Sequence, residues 1–326
     1  DSSQSRGLGD VYKRQDALQS NNIQTLAIDN DNIIWIGYKN GGLDILEETN
    51  VTNHNDKLPN QYVKDILIDA ENTKWIATKS GILQFDNENW SLFNSENSAF
   101  NHNTINSLLL ANSGAKWIGT EDGIYSYMNE NWQAFDATTA VLPHNETTAI
   151  AIDDSQNIWT TSVAGLIQHT NGEWIIHNQE TVPNLESQHF TSIAIDENNV
   201  KWIASFDKGL FRFDGENWAN FSTENSNLTS NHIFQVEANN NDIWLTQSDK
   251  LVYFDGVNFL NFDFEMSIEP TALMVDELQN RVWIGTKNNG LIAFHNDNSF
   301  SYYHEYNSLI SDNQINIKGK TTEKLG

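Results

Sequence analysis

The stretch VKDILIDAENTKWIATKSGILQFDNENWSLF, residues 63–93, decides how the rest of the chain is read. It divides into an aliphatic run VKDILID, a turn AENT, a short run KWIAT, a run GILQFD, a tight turn NEN and a closing run WSLF. Short runs of aliphatic and aromatic residues, punctuated by Asn, Asp and Gly, read as four strands of an antiparallel meander. No apolar stripe at helical spacing competes with that reading.

The unit recurs along the chain. Its first tryptophan reappears as Trp35, Trp75, Trp117, Trp159, Trp202, Trp244 and Trp283, at spacings of 40, 42, 42, 43, 42 and 39 residues. Six or seven positions later a glycine precedes an aliphatic residue, at Gly42, Gly81, Gly123, Gly165, Gly209 and Gly290, with Lys250 in the sixth unit instead. A second aromatic follows at Trp90, Trp132, Trp174, Trp218, Phe259 and Phe300, while the first unit has only Val51 nearby. Ahead of the first tryptophan stands a turn acid, Asp29, Asp69, Asp153, Asp196 or Asp276, replaced by Ala111 and Asn239 in the third and sixth units.

A lone four-stranded sheet of this size exposes two apolar faces, so neighbouring units must stack, and radial stacking closes a β-propeller. The expected fold is therefore all-β: a seven-bladed β-propeller of four-stranded antiparallel blades over residues 18–306, about 41 residues per blade. Residues 1–17 share no part of the repeat, resemble a sequencing-adaptor remnant and are expected to be disordered. Residues 307–326 contain NSLISDNQINIKG, which repeats the opening of a unit and is read as the partly ordered start of a further repeat or module.

Among 326 residues, 18 Lys+Arg stand against 44 Asp+Glu, a net charge of −26. That balance excludes a non-specific nucleic-acid binder and docking on an anionic bilayer through a basic patch. The sequence has no apolar run of bilayer length, so no membrane insertion by this segment is expected. With no cysteine there is no disulfide framework, thiolate metal site or thiol nucleophile. The 45 asparagines suit a chain rich in turns.

The repeat assigns structural work to most of its own columns. The seven first-column tryptophans are expected to wedge between blades, each burying roughly 150–250 Å². The second-column aromatics fall at outer strands and are expected to be more exposed. The glycines allow backbone conformations that a side chain would obstruct. The turn acids lack the dense carboxylate spacing of a calcium loop and are read as acceptors of turn hydrogen bonds.

Function is sought where the repeat varies. The loops leading into each first strand share one face with the loops between second and third strands. On the lead-in loops Asn21, Gln61, Asn103, Asn145, Gln188 and Asn231 form nearly a ring of amides at the channel mouth, read chiefly as turn caps. The next position varies, through Asn22, Tyr62, Thr104, Glu146, His189, His232 and Glu269. The second set of loops adds Tyr38, Lys39, Lys79, Glu121, Asp122, Phe206, Asp207, Lys208, Asp249 and Lys287. Aromatic faces beside mixed charges and amides suit a carbohydrate or a peptide, and this second set together with Tyr62, Glu146, His189 and His232 is the expected ligand-binding set. No nucleophile elbow, metal-ligand motif, phosphate loop or dinucleotide fingerprint occurs, so no catalytic residue, metal or cofactor is expected.

The repeat resembles a known family. LPNQYVKDILIDAENTKWIATKSGILQFD (58–86), LESQHFTSIAIDENNVKWIASFDKGLFRFD (185–214) and LTSNHIFQVEANNNDIWLTQ (228–247) are similar to the two-component regulator propeller repeat. The resemblance implies a non-enzymatic sensor, the extracytoplasmic part of a hybrid two-component histidine kinase, periplasmic or extracellular in location. It further implies downstream receptor modules or a dimer partner, with the kinase domains lying outside this chain. Two alternatives remain: a free-standing secreted propeller that binds proteins in cell-surface assembly or secretion, and a propeller lyase or hydrolase.

Overall fold

The computed structural model describes residues 18–47, 50–135, 147, 149–162, 165–170, 172–183, 185–187, 189–276, 279–303 and 317–318. Seven antiparallel sheets follow one another, each with its four strands in sequence order. Blades one to seven occupy residues 23–53, 63–93, 105–135, 149–177, 190–221, 235–263 and 270–303. Each first strand lies against the first strand of the next blade, and that of blade seven lies against that of blade one. The chain is a closed seven-bladed β-propeller. Blade seven also gains a two-residue strand, Ile317–Lys318, paired with Phe300 and Ser299 of its outer strand.

The core lies in the seams between blades. Trp35, Trp75, Trp159, Trp202 and Trp283 are buried, and Trp75 of blade two meets Tyr127 of blade three with ring centroids 5.5 Å apart. Trp117 and Trp244 also face the following blade, against His169 and Phe294, but both are only half-buried. The second-column aromatics divide as well. The tryptophans among them are half-buried, whereas Phe259 and Phe300 are buried, because a phenyl ring has no N–H to keep near solvent.

The turn acids explain much of the tryptophan pattern. Each of Asp29, Asp69, Asp153 and Asp196 caps its own turn with Oδ1 and accepts the blade's indole N–H with Oδ2, at 3.0, 2.9, 3.0 and 2.8 Å. A buried indole N–H needs such a partner. Blades three and six, with Ala111 and Asn239 in the acid's place, are the ones whose tryptophans stay half-exposed. In blade seven the acid stands one position further from its tryptophan, and Asp276 Oδ2 and Trp283 Nε1 find no partner among the described residues.

A cation crosses three of the seams. Lys74, Lys116 and Lys201 stand immediately before the tryptophans of blades two, three and five. Each reaches back to the acid of the preceding blade, Asp29, Asp69 or Asp153, at 3.1, 3.2 and 3.1 Å. Each ammonium also lies over that blade's tryptophan ring, at 5.2, 5.2 and 5.3 Å from its centroid. The recurring glycine is a close-approach residue: Gly81 has φ +116°, and a Cβ there would sit 2.1 Å from the Phe93 carbonyl oxygen.

Candidate functional site: the lead-in face

The lead-in loops and the second-to-third-strand loops meet, as the meander requires, and backbone bonds stitch them together. The N–H groups of Gly42, Gly209 and Gly290 donate to the carbonyls of Gln61, Asn231 and Asn21 in the following lead-in loop. Two of the amide side chains are put to local use. Asn103 and Asn231 accept the backbone N–H of Ser95 and Thr223 at 2.7 and 2.9 Å, tying the lead-in loop to the exit of the preceding blade. Asn145, Gln188 and Glu146 lie outside the described residues.

Most of the expected ligand-binding side chains do reach this face, where they form pairs. In blade two the Lys79 ammonium lies 4.4 Å from the centroid of the Tyr62 ring. In blade three His102 and Glu121 approach to 3.6 Å, and the Asp122 N–H donates to Thr120. In blade five Asp207 accepts the Ser187 hydroxyl at 2.6 Å, while Lys208 pairs with Glu186 at 3.3 Å. In blade six Asp249 pairs with Lys250 at 3.3 Å, and in blade seven Lys287 pairs with Glu269 at 2.7 Å. Lys39 and His189 are exposed.

Tyr38 does not belong to the face. Its side chain is fully buried and its hydroxyl donates to Asp44 at 2.7 Å, within the apolar cluster joining blades one and seven. Asp44, equally buried, also accepts from Gln19 N and Asn53 Nδ2 at 2.9 Å each. Burial of the two groups raises both the tyrosine and the carboxyl pKa. The tyrosine ends a second strand, and its ring turns inward because Asp44 provides an acceptor there.

The most prominent feature joins blades five and six. Phe206 is 54% exposed, its ring centroid 4.0 Å from that of His232, which in turn stacks on Phe234 at 4.1 Å and 25°. Burial lowers the His232 pKa, and the Glu269 carboxylate works against that shift. Sequence reading found Phe206 and His232 but missed Phe234. The signal was present, because the other blades carry Gln24, Lys64, Asn106, Thr148, Thr191 and Thr271 at that position.

Two acids on first strands were missed as well. Asp65 bridges three blades, accepting from Thr25 Oγ1 at 3.2 Å and from Leu108 N at 2.7 Å, and burial raises its pKa to about 6 despite those bonds. Glu237 stands opposite Trp244 where other blades carry Ala, Leu or Met, and burial pushes its pKa up to about 7. Among the described residues no three His, Asp or Glu side chains are grouped to hold a metal ion.

Comparison with known proteins gives this geometry a context. The model of the two component regulator propeller family matches residues 17–40, the lead-in and first two strands of blade one. The chain carries a two component regulator propeller repeat. In structure it is similar to the extracellular domain of a hybrid two component system from B. thetaiotaomicron, at a TM-score of 0.76 and 20% identity, over 87% of this chain and 40% of that one. It is also similar to virginiamycin B lyase from Staphylococcus aureus (TM-score 0.67, 12% identity, 84% of this chain and 94% of that one). A third likeness is to PorZ, a surface component of the type-IX secretion system of Porphyromonas gingivalis (TM-score 0.54, 18% identity, 81% and 42%). At these identities the likenesses show the fold. The chain spans less than half the length of the hybrid-system domain it matches. Sequence comparison with curated proteins finds none that matches.

Proposed function

We propose that this propeller is a non-enzymatic ligand-sensing domain, the extracytoplasmic sensor part of a hybrid two-component receptor, and that its ligand binds the lead-in face. The observation that carries the reading is the aromatic stack of Phe206, His232 and Phe234, with Phe206 open to solvent. Exposed rings cover the apolar face of a sugar or a peptide side chain. The ion pairs Lys208–Glu186 and Lys287–Glu269 offer charged partners for polar groups at the rim. The repeat match and the likeness to a hybrid-system extracellular domain support the sensor role. Signal output then passes to receptor modules following the propeller or to a dimer partner.

The test is calorimetric titration with oligosaccharide and peptide panels against the wild-type chain and Phe206→Ala. Saturable binding that falls at least about tenfold in the variant, as expected for the loss of an aromatic anchor, supports the reading. Binding unaffected by Phe206→Ala moves the site elsewhere and overturns it, as does turnover of any bound panel member.

A further inference from the structure

We infer a second site, on the opposite end of the ring, built to hold a small oxyanion. It lies in blade seven, where the turn between first and second strands meets the turn between third and fourth. There Gln279, Asn280, Arg281, His295, Ser299 and Ser301, with Asn296 and Asp297 at the outer turn, line a cavity of about 320 Å³. It is separate from the lead-in face, so its outcome is independent of the ligand proposed there.

The charge pattern singles out Arg281. In a chain of 18 basic and 44 acidic residues, eight of the described lysines lie against a carboxylate or a ring, and Arg212 pairs with Asp214 at 3.0 Å. Arg281 is half-buried and makes no ion pair among the described residues. A guanidinium presents a planar fork of donors matched to two oxygens of one anion, and a recess strengthens that interaction. Its position is fixed by the sheet, since Arg281 pairs in register with Asp276 at the end of the first strand.

The neighbouring groups complete a donor set. His295 is anchored through its backbone N–H to the Ser299 carbonyl at 2.9 Å, and its Nε2 lies 2.8 Å from Ser301 Oγ. Burial and the Arg281 charge lower its pKa, partly offset by Asp297, so an imidazole and a hydroxyl face the cavity beside one permanent cation. Asp297 in the lining stays a carboxylate, its pKa lowered by the Ser299 bonds, and its Oδ1 accepts both the N–H and the hydroxyl of Ser299, at 3.1 and 2.5 Å. Side-chain amides of Gln279, Asn280 and Asn296 supply further donors at the rim. One guanidinium with no ion pair among the described residues, one donor left over from the His295–Ser301 pair and the amides at the rim fit a carboxylate or a sulfate-like group carried by a larger ligand or free in solution.

The experiment uses the whole chain and follows the His295 ring signals by NMR, assigned with His295→Gln, while sodium sulfate or sodium acetate replaces chloride at constant ionic strength. Saturating shifts are expected for at least one anion. They should weaken about tenfold or more in Arg281→Gln, since a hydrogen bond to a charged group is lost, and less in Arg281→Lys or Ser301→Ala. Saturation by sulfate alone identifies a tetrahedral oxyanion, and saturation by acetate identifies a carboxylate. A linear drift with both anions, or the same saturation curve in a folded Arg281→Gln, overturns the site.

Discussion

The indole of Trp159 donates to Asp153 Oδ2 at 3.0 Å, and Lys201 of the next blade reaches the same oxygen at 3.1 Å. One carboxylate thus serves its own turn, its own blade's tryptophan and the neighbouring blade's lysine, with the Asp153 and Lys201 side chains 2% and 4% exposed. Removing it strands a buried ammonium and a buried indole together. Asp153→Ala is expected to cost about 3–5 kcal/mol, the usual penalty for breaking a buried ion pair. Asp196 has the same turn and indole bonds but Ile243 in the lysine's place, so Asp196→Ala should cost only about 1–3 kcal/mol. Chemical denaturation of the two variants decides the matter. Equal losses would show that the lysine contributes nothing.

The pH dependence has two opposed parts. Asp29, Asp69 and Asp153 are held below the usual aspartate value because bonds from backbone, indole and lysine outweigh burial. Their stabilisation is present above the unfolded pKa and is lost as pH falls through the folded one, so melting temperature should drop steeply in acid below pH about 4. Glu237 runs the other way. Its folded pKa of about 7 exceeds the ordinary 4.5, so the folded state holds the proton and its contribution declines as pH rises between those values. Glu237→Gln should match wild type near pH 4.5 and melt higher than wild type above pH about 7. A melting difference independent of pH would rule out this titration.

Tryptophan substitutions should separate by blade. Trp202→Ala removes a buried ring bonded to Asp196 and should cost about 3–5 kcal/mol. Trp117, half-buried beside Ala111, should cost less, about 1–3 kcal/mol. Thermal melts give the order, at roughly 2–4 °C per kcal/mol for large domains. A loss at Trp117 equal to that at Trp202 would contradict the acid's role in burying the ring.

The tail is expected to contribute little to closure. Ile317–Lys318 adds only two register pairs to blade seven, whose four strands are already complete. Deleting residues 307–326 should leave the melting temperature nearly unchanged. A fall of more than about 8 °C would make the tail part of the ring.

The fold was legible because it repeats. Seven tryptophans in phase with glycines and turn acids define strand, turn and blade together, and chance does not keep such columns aligned. The seam chemistry was not legible, because Asp29 and Lys74, or Asp153 and Lys201, stand more than one repeat apart and meet only when blades stack. The same limit hid Tyr38. Spacing placed it in a loop of the lead-in face, whereas it ends the second strand, and the inward turn of its ring toward Asp44 depends on a packed interior. Phe206 and His232 were found because loop residues at adjacent blades must be neighbours, whichever way their side chains settle.

Every blade is cut from one continuous segment, so blade one and blade seven meet without exchanging a strand. Their joint also lacks each feature that reinforces some or all of the other seams: Ile34 stands where three have the lysine, Leu46 stands opposite Trp283 where other blades offer an aromatic, and Asp276 misses the indole. The ring behaves as a split washer held by aliphatic packing and a few bonds, such as Thr271 Oγ1 to the Ile23 carbonyl at 2.5 Å. Since no sheet spans the joint, the gap has no fixed address. A linker could join the last blade to the first and new termini could open between any other pair, so the position of the break is set by the gene's order and not by the architecture.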